Sequence, residues 1–434
     1  MIVHDPKSGL EVIETLQRDT FNYFVHEVNP VNGLVIDKTK PGAPASIAAV
    51  GLALSAYPVG VERGFMTRAD AIERTLATLR FFDQSVQSID ADATGYKGFY
   101  YHFLDMADGR RAGTCELSTI DTAFLLAGML TAAAYFSGTA TDEREIVDLA
   151  GELYRRADWN WARNGGLTVT HGWKPESGFL PYRWKGYDEA LFLYLLGLGS
   201  PTHPLPRQSY AEWASTYEWR EVGGQEYLYS GPLFTHQISH LWIDFRGIQD
   251  DYMRGKKIDY FENSRRATLA QQQYAIENPL EFDGYGAKCW GITAGDGPGP
   301  VTHTIKEKER HFFGYMARGV PDGPDDGTIA PWAVVASLPF APEIVIPTLD
   351  YFEKLKLRTD NPYGFKDSFN PTFAERSDLS HAWVSPFHYG LRQGPIVLMI
   401  ENYRSGLLWH LMRQCPYLVD GLRRAGFQGG WLKQ

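Results

Sequence analysis

Residues 187–199 read Tyr187-Asp-Glu-Ala-Leu-Phe-Leu-Tyr-Leu-Leu-Gly-Leu-Gly199, and this apolar segment decides the fold. Leucines and aromatic residues occupy every face of the helix that it predicts, so we expect the helix to be surrounded by protein. The segment is too short to span a bilayer. Ser200-Pro201 and Pro204 end it, because proline cannot continue a helix. We therefore place this helix among the innermost elements of the fold.

Two adjacent carboxylates, Asp188 and Glu189, stand at the start of this segment. The pattern places both in the first helical turn, where the helix dipole favours negative charge, and capping alone would explain Asp188. Glu189 follows Trp184 and Tyr187 closely, with Trp173 further upstream. Aromatic rings keep water from a carboxyl group and raise its pKa towards the range of a general acid. Glu189 is therefore predicted to be catalytic.

Helical periodicity of two kinds alternates along the chain, apart from one extra amphipathic segment. The amphipathic, charged segments are 9–25, 67–84, 141–156, 209–220, 260–277, 342–356 and 405–414. The segments rich in Ala, Gly, Ser and Leu are 44–57, 118–137, 187–199, 233–248, 329–338 and 394–403. Buried inner helices wrapped by amphipathic outer helices form an all-α (α/α)6 toroid of about six helical hairpins. We expect a single domain over residues 1–434, the alternative being two α-helical lobes with a seam at 201–207.

Three long irregular stretches, 160–186, 278–326 and 358–391, interrupt the helices. Connections of this length usually carry function. In a toroid they would gather at one rim and form a cleft. Short β-hairpins are expected there, and residues 165–171 have the alternation of a strand.

The composition excludes some classes of partner. A net charge of −10 and a pI near 5.7 argue against nucleic acid and against a polyanionic substrate. Neither argues against a neutral ligand. Aromatic residues make up 14% of the chain, and many lie in loops with Gly and Pro, which favours flat ligands such as sugar rings.

The three cysteines are widely spaced and offer neither a disulfide framework nor a zinc spacing. The first residues, Met1-Ile-Val-His-Asp-Pro-Lys7, lack the apolar region of a signal peptide. We therefore expect a cytoplasmic protein, or a periplasmic one if a leader has been removed. No membrane partner is expected, and the oligomeric state stays open.

Asp121 is the second candidate catalytic residue. Ser118 or Thr119 suits the N-cap of the inner helix 118–137, and Asp121 falls inside that helix, where a carboxylate must be paired or functional. Glu116 lies just ahead of the helix and is a candidate for substrate binding.

The segment 234–246 is dense in polar groups. His236 and His240 are four residues apart and would share one helix face. The segment lacks a third clear ligand, so we expect no metal site. Asp244 and Arg246 are expected to join an internal ion-pair network, and side chains of this segment are candidates for binding the hydroxyl groups of a ligand.

Four further candidates come from the second half of the chain. Trp290 and Asp296 lie in a glycine-rich turn, and Asp367 lies between aromatic residues. An Asx-turn is the structural explanation for both aspartates. Glu401 ends an inner helix, where an ion pair with Arg404 is the alternative to a role in the site.

Several acids in an aromatic cleft favour hydrolysis of a glycosidic bond. One acid protonates the leaving oxygen, while a second activates water or attacks the anomeric carbon. The expected substrate is a neutral oligo- or polysaccharide, and no cofactor is needed.

At these residues the chain resembles the bacterial glucoamylase-like family that includes endo-β-1,2-glucanases. The resemblance spans most of the chain and rests on residues 186–190, 200–203, 234–246, 291–298, 326–331, 337–343, 363–370 and 393–404. It implies an (α/α)6 barrel that acts on β-1,2-linked glucans, with Glu189 as the general acid and Asp121 at a second acidic position. For the base it leads us to nominate Asp367, with Glu401 and Asp296 as weaker choices.

Other activities on the same scaffold stay open. These are a transglycosylase, a phosphorylase, a sugar epimerase that would use His236 and His240, and a non-catalytic sugar-binding protein.

Overall fold

The computed structural model describes residues 6–374 and 382–433, which are mostly helical with short hairpins. Residues 1–5, used for the prediction of localisation, and residues 375–381 of the third long loop lie outside the described part. No helix in the described ranges has the length and apolar character needed to cross a membrane. Cys115, Cys289 and Cys415 are free thiols.

The chain divides into two compact units, each assembled from three stretches. Unit 1 comprises Met1–Tyr23, Glu218–Ile238 and Phe261–Arg404, and unit 2 comprises Phe24–Tyr217, Ser239–Tyr260 and Ser405–Gln434. The possible seam at 201–207 falls inside unit 2. The organisation as a single domain stays a prediction.

The elements of the chain are numbered in chain order. The helices are α1 Pro6–Phe21, α2 Tyr23–His26, α3 Ile47–Glu62, α4 Arg68–Gln84, α5 Thr119–Tyr135, α6 Thr141–Arg156, α7 Trp159–Ala162, α8 Leu191–Gly199, α9 Arg207–Ala214, α10 Asp251–Lys256, α11 Tyr260–Glu277, α12 Pro331–Ala336, α13 Pro342–Lys354, α14 Gly390–Arg404, α15 Leu407–Met412 and α16 Pro416–Arg424. Single 3-10 turns cover Leu233–His236, Ile238–Leu241 and Gly430–Lys433.

The strands are short. They are β1 Ala45–Ser46, β2 Gly95–Tyr96, β3 Phe99–Tyr101, β4 Phe103–Leu104, β5 Leu117–Ser118, β6 Gly172–Lys174, β7 Gly178–Phe179, β8 Trp219–Val222, β9 Gln225–Leu228, β10 Ile248–Gln249, β11 Ala294–Gly295, β12 Val301–Ile305, β13 Lys308–Phe312, β14 Met316–Ala317, β15 Phe369–Ala374, β16 Ala382–Val384 and β17 Gln428–Gly429.

Unit 1 is built around an apolar core between α1, α12, α13 and α14. Its strands form the antiparallel pairs β8–β9, β11–β14, β12–β13 and β15–β16. Helix α12 begins with Pro331, whose fixed φ suits a first helical position, and all six of its residues are buried. The strand pairs β11–β14 and β12–β13 lie in the long loop 278–326, and β15–β16 lies in the loop 358–391, so both loops carry hairpins, as expected.

Unit 2 packs α5 against α3, α6 and α8, and α8 against α16. Glycines bring these helices into backbone contact. A Cβ atom at Gly51 of α3 would lie 2.2 Å from the carbonyl oxygen of Phe124, and one at Gly199 of α8 would lie 1.9 Å from that of Tyr417. Every residue of α8 is buried, which confirms the prediction that this helix is surrounded by protein.

Unit 2 also contains a five-stranded antiparallel sheet of order β2-β3-β5-β6-β7. Strand β5 leads directly into α5. Strand β6 pairs with β5, with Leu117 opposite Trp173 and Ser118 opposite Gly172. This sheet fixes the start of a buried helix next to a strand that carries an aromatic side chain.

Some predicted elements are wrong. The helix expected at 233–248 is replaced by two 3-10 turns and strand β10, so His236 and His240 do not share a helix face. The helix expected at 187–199 begins only at Leu191, and that expected at 209–220 covers Arg207–Ala214 before β8. The strand expected at 165–171 lies later, at Gly172–Lys174.

Candidate active site

The five-stranded sheet of unit 2 places an imidazole between two carboxylates. Tyr101 of β3 pairs with Leu117 of β5, so the next residues outward, His102 and Glu116, lie opposite each other. The His102 backbone N–H donates to the carbonyl oxygen of Glu116 at 2.9 Å. Asp121 follows β5 in the first turn of α5. These three residues form what we call the histidine cluster.

The histidine cluster has close and directional contacts. His102 Nδ1 lies 2.9 Å from Glu116 Oε1, and its Nε2 lies 3.6 Å from Asp121 Oδ2. The hydroxyl group of Ser118 donates to Asp121 Oδ2 at 2.5 Å and accepts from the Asp121 backbone N–H at 3.2 Å. Ser118 is thus the N-cap of α5, as predicted. The side chains of His102 and Glu116 are 29% and 28% exposed, whereas that of Asp121 is 8% exposed.

Charge within the cluster shifts its titration. Burial lowers the pKa of His102, but the Asp121 carboxylate and the hydrogen bond with Glu116 outweigh burial and raise the pKa to about 9. Burial raises the pKa of Glu116, but the hydrogen bond and the positive charge of His102 outweigh burial, so the pKa lies below its usual range. At neutral pH the imidazole is therefore a cation, and Glu116 is ionised.

An aromatic wall continues from the same strands. Trp184 stacks on His171 with ring centroids 3.8 Å apart, and its indole N–H donates to the Thr119 hydroxyl group at 3.0 Å. Trp173 of β6 packs on Tyr96 at 5.4 Å and is half-buried. The first turn of α5 is thereby joined to Trp184, five residues ahead of Glu189.

Asp188 and Glu189 precede α8 instead of lying in its first turn. Asp188 Oδ1 accepts from the Ala190 backbone N–H and from the Trp213 indole N–H, each at 3.0 Å. Burial raises the pKa of Asp188 to about 7, so the neighbour of the predicted acid is itself protonated over part of the neutral range. Glu189 is half-buried. The capping role expected for Asp188 is wrong, because Ala190 is the N-cap of α8 and no side chain caps the helix; the Asp188 carboxyl group instead accepts from the backbone just ahead of it.

Tyr187 belongs to a buried aromatic group. Its ring lies 5.8 Å from that of Tyr217 and 5.9 Å from that of Tyr260, and 9% of the residue is exposed. Tyr260 donates a hydrogen bond of 2.8 Å to Asp250. These contacts support the backbone just ahead of Glu189, so Tyr187 is placed to support the segment more than to present a face to a ligand.

His240, Asp244 and Arg246 also belong to unit 2. Asp244 is buried and binds Arg246 at 2.7 Å and also Arg413. Burial raises the pKa of Asp244, but hydrogen bonds from Arg246 and the two guanidinium charges lower it below its usual range. The expected ion-pair network is confirmed. The His240 ring is buried and packs on Phe245 at 4.8 Å.

His236, in unit 1, is a core residue. Its Nε2 lies 3.1 Å from the carbonyl oxygen of Ser230, and its ring packs on Tyr227. Burial lowers the pKa of His236 to about 4, so the imidazole is neutral at physiological pH. Nothing in this geometry favours an epimerase that would use His236 and His240.

Asp367 of unit 1 is fully buried. Its carboxylate accepts from Arg392 Nε at 3.2 Å and from the backbone N–H of Asp296. Burial raises the pKa of Asp367, and the Arg392 charge opposes this shift. Asp296 is half-buried and accepts from the Ser385 hydroxyl group at 3.0 Å. A fully buried carboxylate with a guanidinium partner is poorly placed to take a proton from water.

Trp290 and Glu401 are interior residues of unit 1. Trp290 has no exposed surface and donates to Thr348 at 2.9 Å, which leaves no ring face for a sugar. Gln17 donates to Glu401 at 3.2 Å and accepts from Arg404 at 3.1 Å, so a side chain of α1 contacts both members of the expected ion pair. Over residues 6–374 and 382–433 no group of three or more His, Cys, Asp and Glu side chains could hold a metal ion.

His102 is the residue that sequence reasoning missed. It is separated from Glu116 by 14 residues and from Asp121 by 19, so no local spacing reveals the cluster. The available signal was the run Phe99-Tyr-Tyr-His102 after a glycine, which is typical of a strand that ends in a polar residue.

Comparison with known proteins identifies a family and several relatives that this chain resembles. The model of the Glycoamylase family, described as "Putative glucoamylase", matches residues 181–416, more than half of the chain. A crystal structure of a protein of that description from Bacteroides uniformis has a TM-score of 0.86 and 33% identity, with 98% of each chain covered.

Two relatives have named activities. The exo beta-1,2-glucooligosaccharide sophorohydrolase of Parabacteroides distasonis is 28% identical over 456 residues, covering 96% of this chain. The chain spans 58% of the length of that relative. The endo-beta-1,2-glucanase of Chitinophaga pinensis, solved with sophorotriose and glucose, has a TM-score of 0.84 and 26% identity, with 98% of this chain and 99% of that chain covered.

Proposed function

Since the chain belongs to the Glycoamylase family, we propose that it is a glycoside hydrolase that cleaves β-1,2-linked glucan or its oligosaccharides. The relatives named for this linkage, from Parabacteroides distasonis and Chitinophaga pinensis, support the substrate class. The observation that carries the proposal is the partly exposed histidine cluster, which Thr119 and Trp184 connect to the segment that bears Glu189.

Glu189 acts as the general acid in this proposal. It protonates the glycosidic oxygen as the bond to the anomeric carbon breaks, and the leaving sugar departs with a hydroxyl group. Burial of the aromatic residues around it keeps bulk water from the leaving oxygen. The half-buried Trp173 offers ring surface to the sugar, because indole faces stack on the apolar side of a pyranose, whereas Trp184 is buried against His171 and supports the site from behind.

Asp121 is the better candidate for the base than Asp367. It keeps 8% of its side chain exposed, whereas Asp367 has none and is held by Arg392. The carboxylate of Asp121 takes a proton from the water that attacks the anomeric carbon. Glu116, ionised and more exposed, is proposed to bind sugar hydroxyl groups.

The finer architecture is part of the same proposal. We infer that the paired inner and outer helices close as the (α/α)6 toroid expected from the alternating segments. The helix pairs α3–α4 and α5–α6 each join a nearly charge-free inner helix to a charged one, which supports this arrangement.

Chromatography of products from β-1,2-glucan and from sophoro-oligosaccharides tests the function. The wild-type chain is expected to release short β-1,2-linked products, and Glu189→Gln is expected to lower kcat by roughly 10²- to 10⁴-fold while oligosaccharide binding persists. Glu145→Gln is the matched control and should retain activity, because Glu145 lies on α6 and only forms a surface ion pair with Arg80.

Other product patterns would contradict the proposal. Undiminished turnover by Glu189→Gln removes the acid from the mechanism. Products longer than the substrate identify a transglycosylase, and products that form only with inorganic phosphate identify a phosphorylase. A bound but unaltered glucan after long incubation identifies a sugar-binding protein.

A further inference from the structure

His102 links two acidic side chains that come from different elements. It follows β3, Glu116 precedes β5, and Asp121 lies on α5. We propose that His102 is a positioning residue that holds the Glu116 and Asp121 carboxylates in place together for hydrolysis. The inference rests on the function proposed above and assigns a role to a residue other than the proposed acid, Glu189, and the proposed base, Asp121.

The two ring nitrogens explain why a histidine stands here. A protonated imidazole donates from both nitrogens, whereas the neutral ring donates from one only. Nδ1 and Nε2 of His102 face different carboxylates, at 2.9 and 3.6 Å. Only the imidazolium form has a proton on both nitrogens and a positive charge, so it alone combines a hydrogen bond to Glu116 with an ion pair to Asp121, and loss of its proton removes that ion pair.

The charges around the cluster favour the cation. His102 faces Glu116 and Asp121, with Asp37 adding a further negative charge. Lys174 lowers the pKa of Glu116 from the strand beyond, and burial lowers the pKa of His171, whose ring is neutral at neutral pH. Without a cation among them, the negative charges would repel one another in a site of reduced dielectric constant.

The sheet makes room for this arrangement at Gly172. A Cβ atom at Gly172 would lie 2.4 Å from the carbonyl oxygen of Leu117 and 3.1 Å from Glu116 Cγ. The Glu116 side chain therefore passes directly over the glycine on its way to His102. The imidazole is also stacked on Phe103 at 3.9 Å, which fixes the plane of the ring.

The first experiment compares pH–rate profiles for hydrolysis of β-1,2-glucan. Wild-type kcat is expected to fall as pH rises through about 9, where His102 loses its proton. His102→Gln carries no positive charge to pair with the two carboxylates and has no proton to lose near pH 9, so kcat should fall roughly tenfold or more, with KM changed far less and with that alkaline limb absent. His203→Gln is the matched control, because His203 also contacts an aspartate, Asp158 at 3.9 Å, but is half-exposed. A His102→Gln variant with wild-type kcat and an unchanged alkaline limb would overturn the proposal.

The second measurement needs no activity. NMR titration of the wild-type imidazole groups should show one histidine with a pKa near 9, and Glu116→Gln should lower that pKa by removing its hydrogen-bond partner. A His102 that titrates near 6.5 in the wild type contradicts the inference even if the chain hydrolyses glucan. A chain that does not hydrolyse β-1,2-glucan but shows the raised pKa contradicts the proposed function and leaves the ionic arrangement in place.

Discussion

Two groups of buried carboxylates in this chain differ in the cation that faces them. In unit 1, Asp326 and Asp367 are fully buried, and each faces an arginine that is itself almost completely buried, Arg318 and Arg392 respectively. In the histidine cluster of unit 2, two carboxylates share one imidazole, and more than a quarter of the His102 side chain is exposed.

The difference separates structural charge from chemical charge. A guanidinium group stays charged at every accessible pH and offers a fixed fork of donors, so it holds a carboxylate permanently. An imidazole can gain or lose a proton close to working conditions, and a partly exposed carboxylate can meet a ligand. We therefore expect the arginine pairs to govern stability and the histidine cluster to govern activity.

The largest expected effect tests the structural side of this comparison. In the wild type, Asp326 accepts hydrogen bonds from Arg318 Nε and Nη2 at 2.7 and 2.8 Å. Asp326→Asn leaves the Arg318 guanidinium group buried without its counter-charge. The free energy of unfolding should fall by about 3–5 kcal/mol in urea denaturation. Asp322→Asn, which removes the exposed partner of Arg220, should leave the free energy of unfolding nearly unchanged. Equal losses in the two variants would break the comparison.

A smaller effect tests the chemical side. Asp121→Asn keeps an acceptor for the Ser118 hydroxyl group but cannot take a proton, so kcat on β-1,2-glucan should fall roughly 100-fold. Stability in urea should change far less than in Asp367→Asn, which leaves Arg392 without its buried partner. A stable Asp367→Asn variant that loses turnover, beside an active Asp121→Asn variant, would reverse the assignment.

The smallest effect concerns Asp188, a buried carboxyl group whose hydrogen-bond donors, the Trp213 indole N–H and the Ala190 backbone N–H, are neutral. Its pKa is raised from 3.8 to about 7, so the unfolded chain ionises first, and stability falls as pH rises from about 4 to 7. Asp188→Asn retains the oxygen that accepts from Trp213 and Ala190 but never ionises. Its midpoint temperature in thermal unfolding should exceed that of the wild type at pH 8 and should match it near pH 4. A lower midpoint at pH 8 would show that the charge stabilises the backbone ahead of α8.

The sequence predicted those helices best whose ends and faces are marked by local chemistry. Helices α6 (Thr141–Arg156) and α11 (Tyr260–Glu277) have the predicted bounds, because each is amphipathic over its whole length. The helix expected at 233–248 is absent, although its composition resembles that of the inner helices. There Ser264 and Asn263 bind groups of His236, and such tertiary hydrogen bonds favour short turns over a continuous helix.

The candidate site could be predicted only where its evidence is local. Glu189 among aromatic residues and Asp121 after an N-cap were recognisable, since neighbours in sequence define their surroundings. Asp367 looked similar in sequence, but the guanidinium that distinguishes it belongs to Arg392, 25 residues later. His102 was missed for the same reason, because strand pairing brings its partners to it.

The close contacts between inner helices limit how this protein can be engineered for heat resistance. Replacement of helical glycine by alanine usually stiffens the unfolded chain and raises stability. At Gly51 and Gly128, and likewise at Gly199 and Gly421, even one added methyl group would overlap a carbonyl oxygen of the neighbouring helix. Thermostabilising substitutions should therefore be sought on the charged outer helices, such as α6, where the atoms nearest to a Cβ added at Gly151 belong to the side chains of Arg155 and Tyr417.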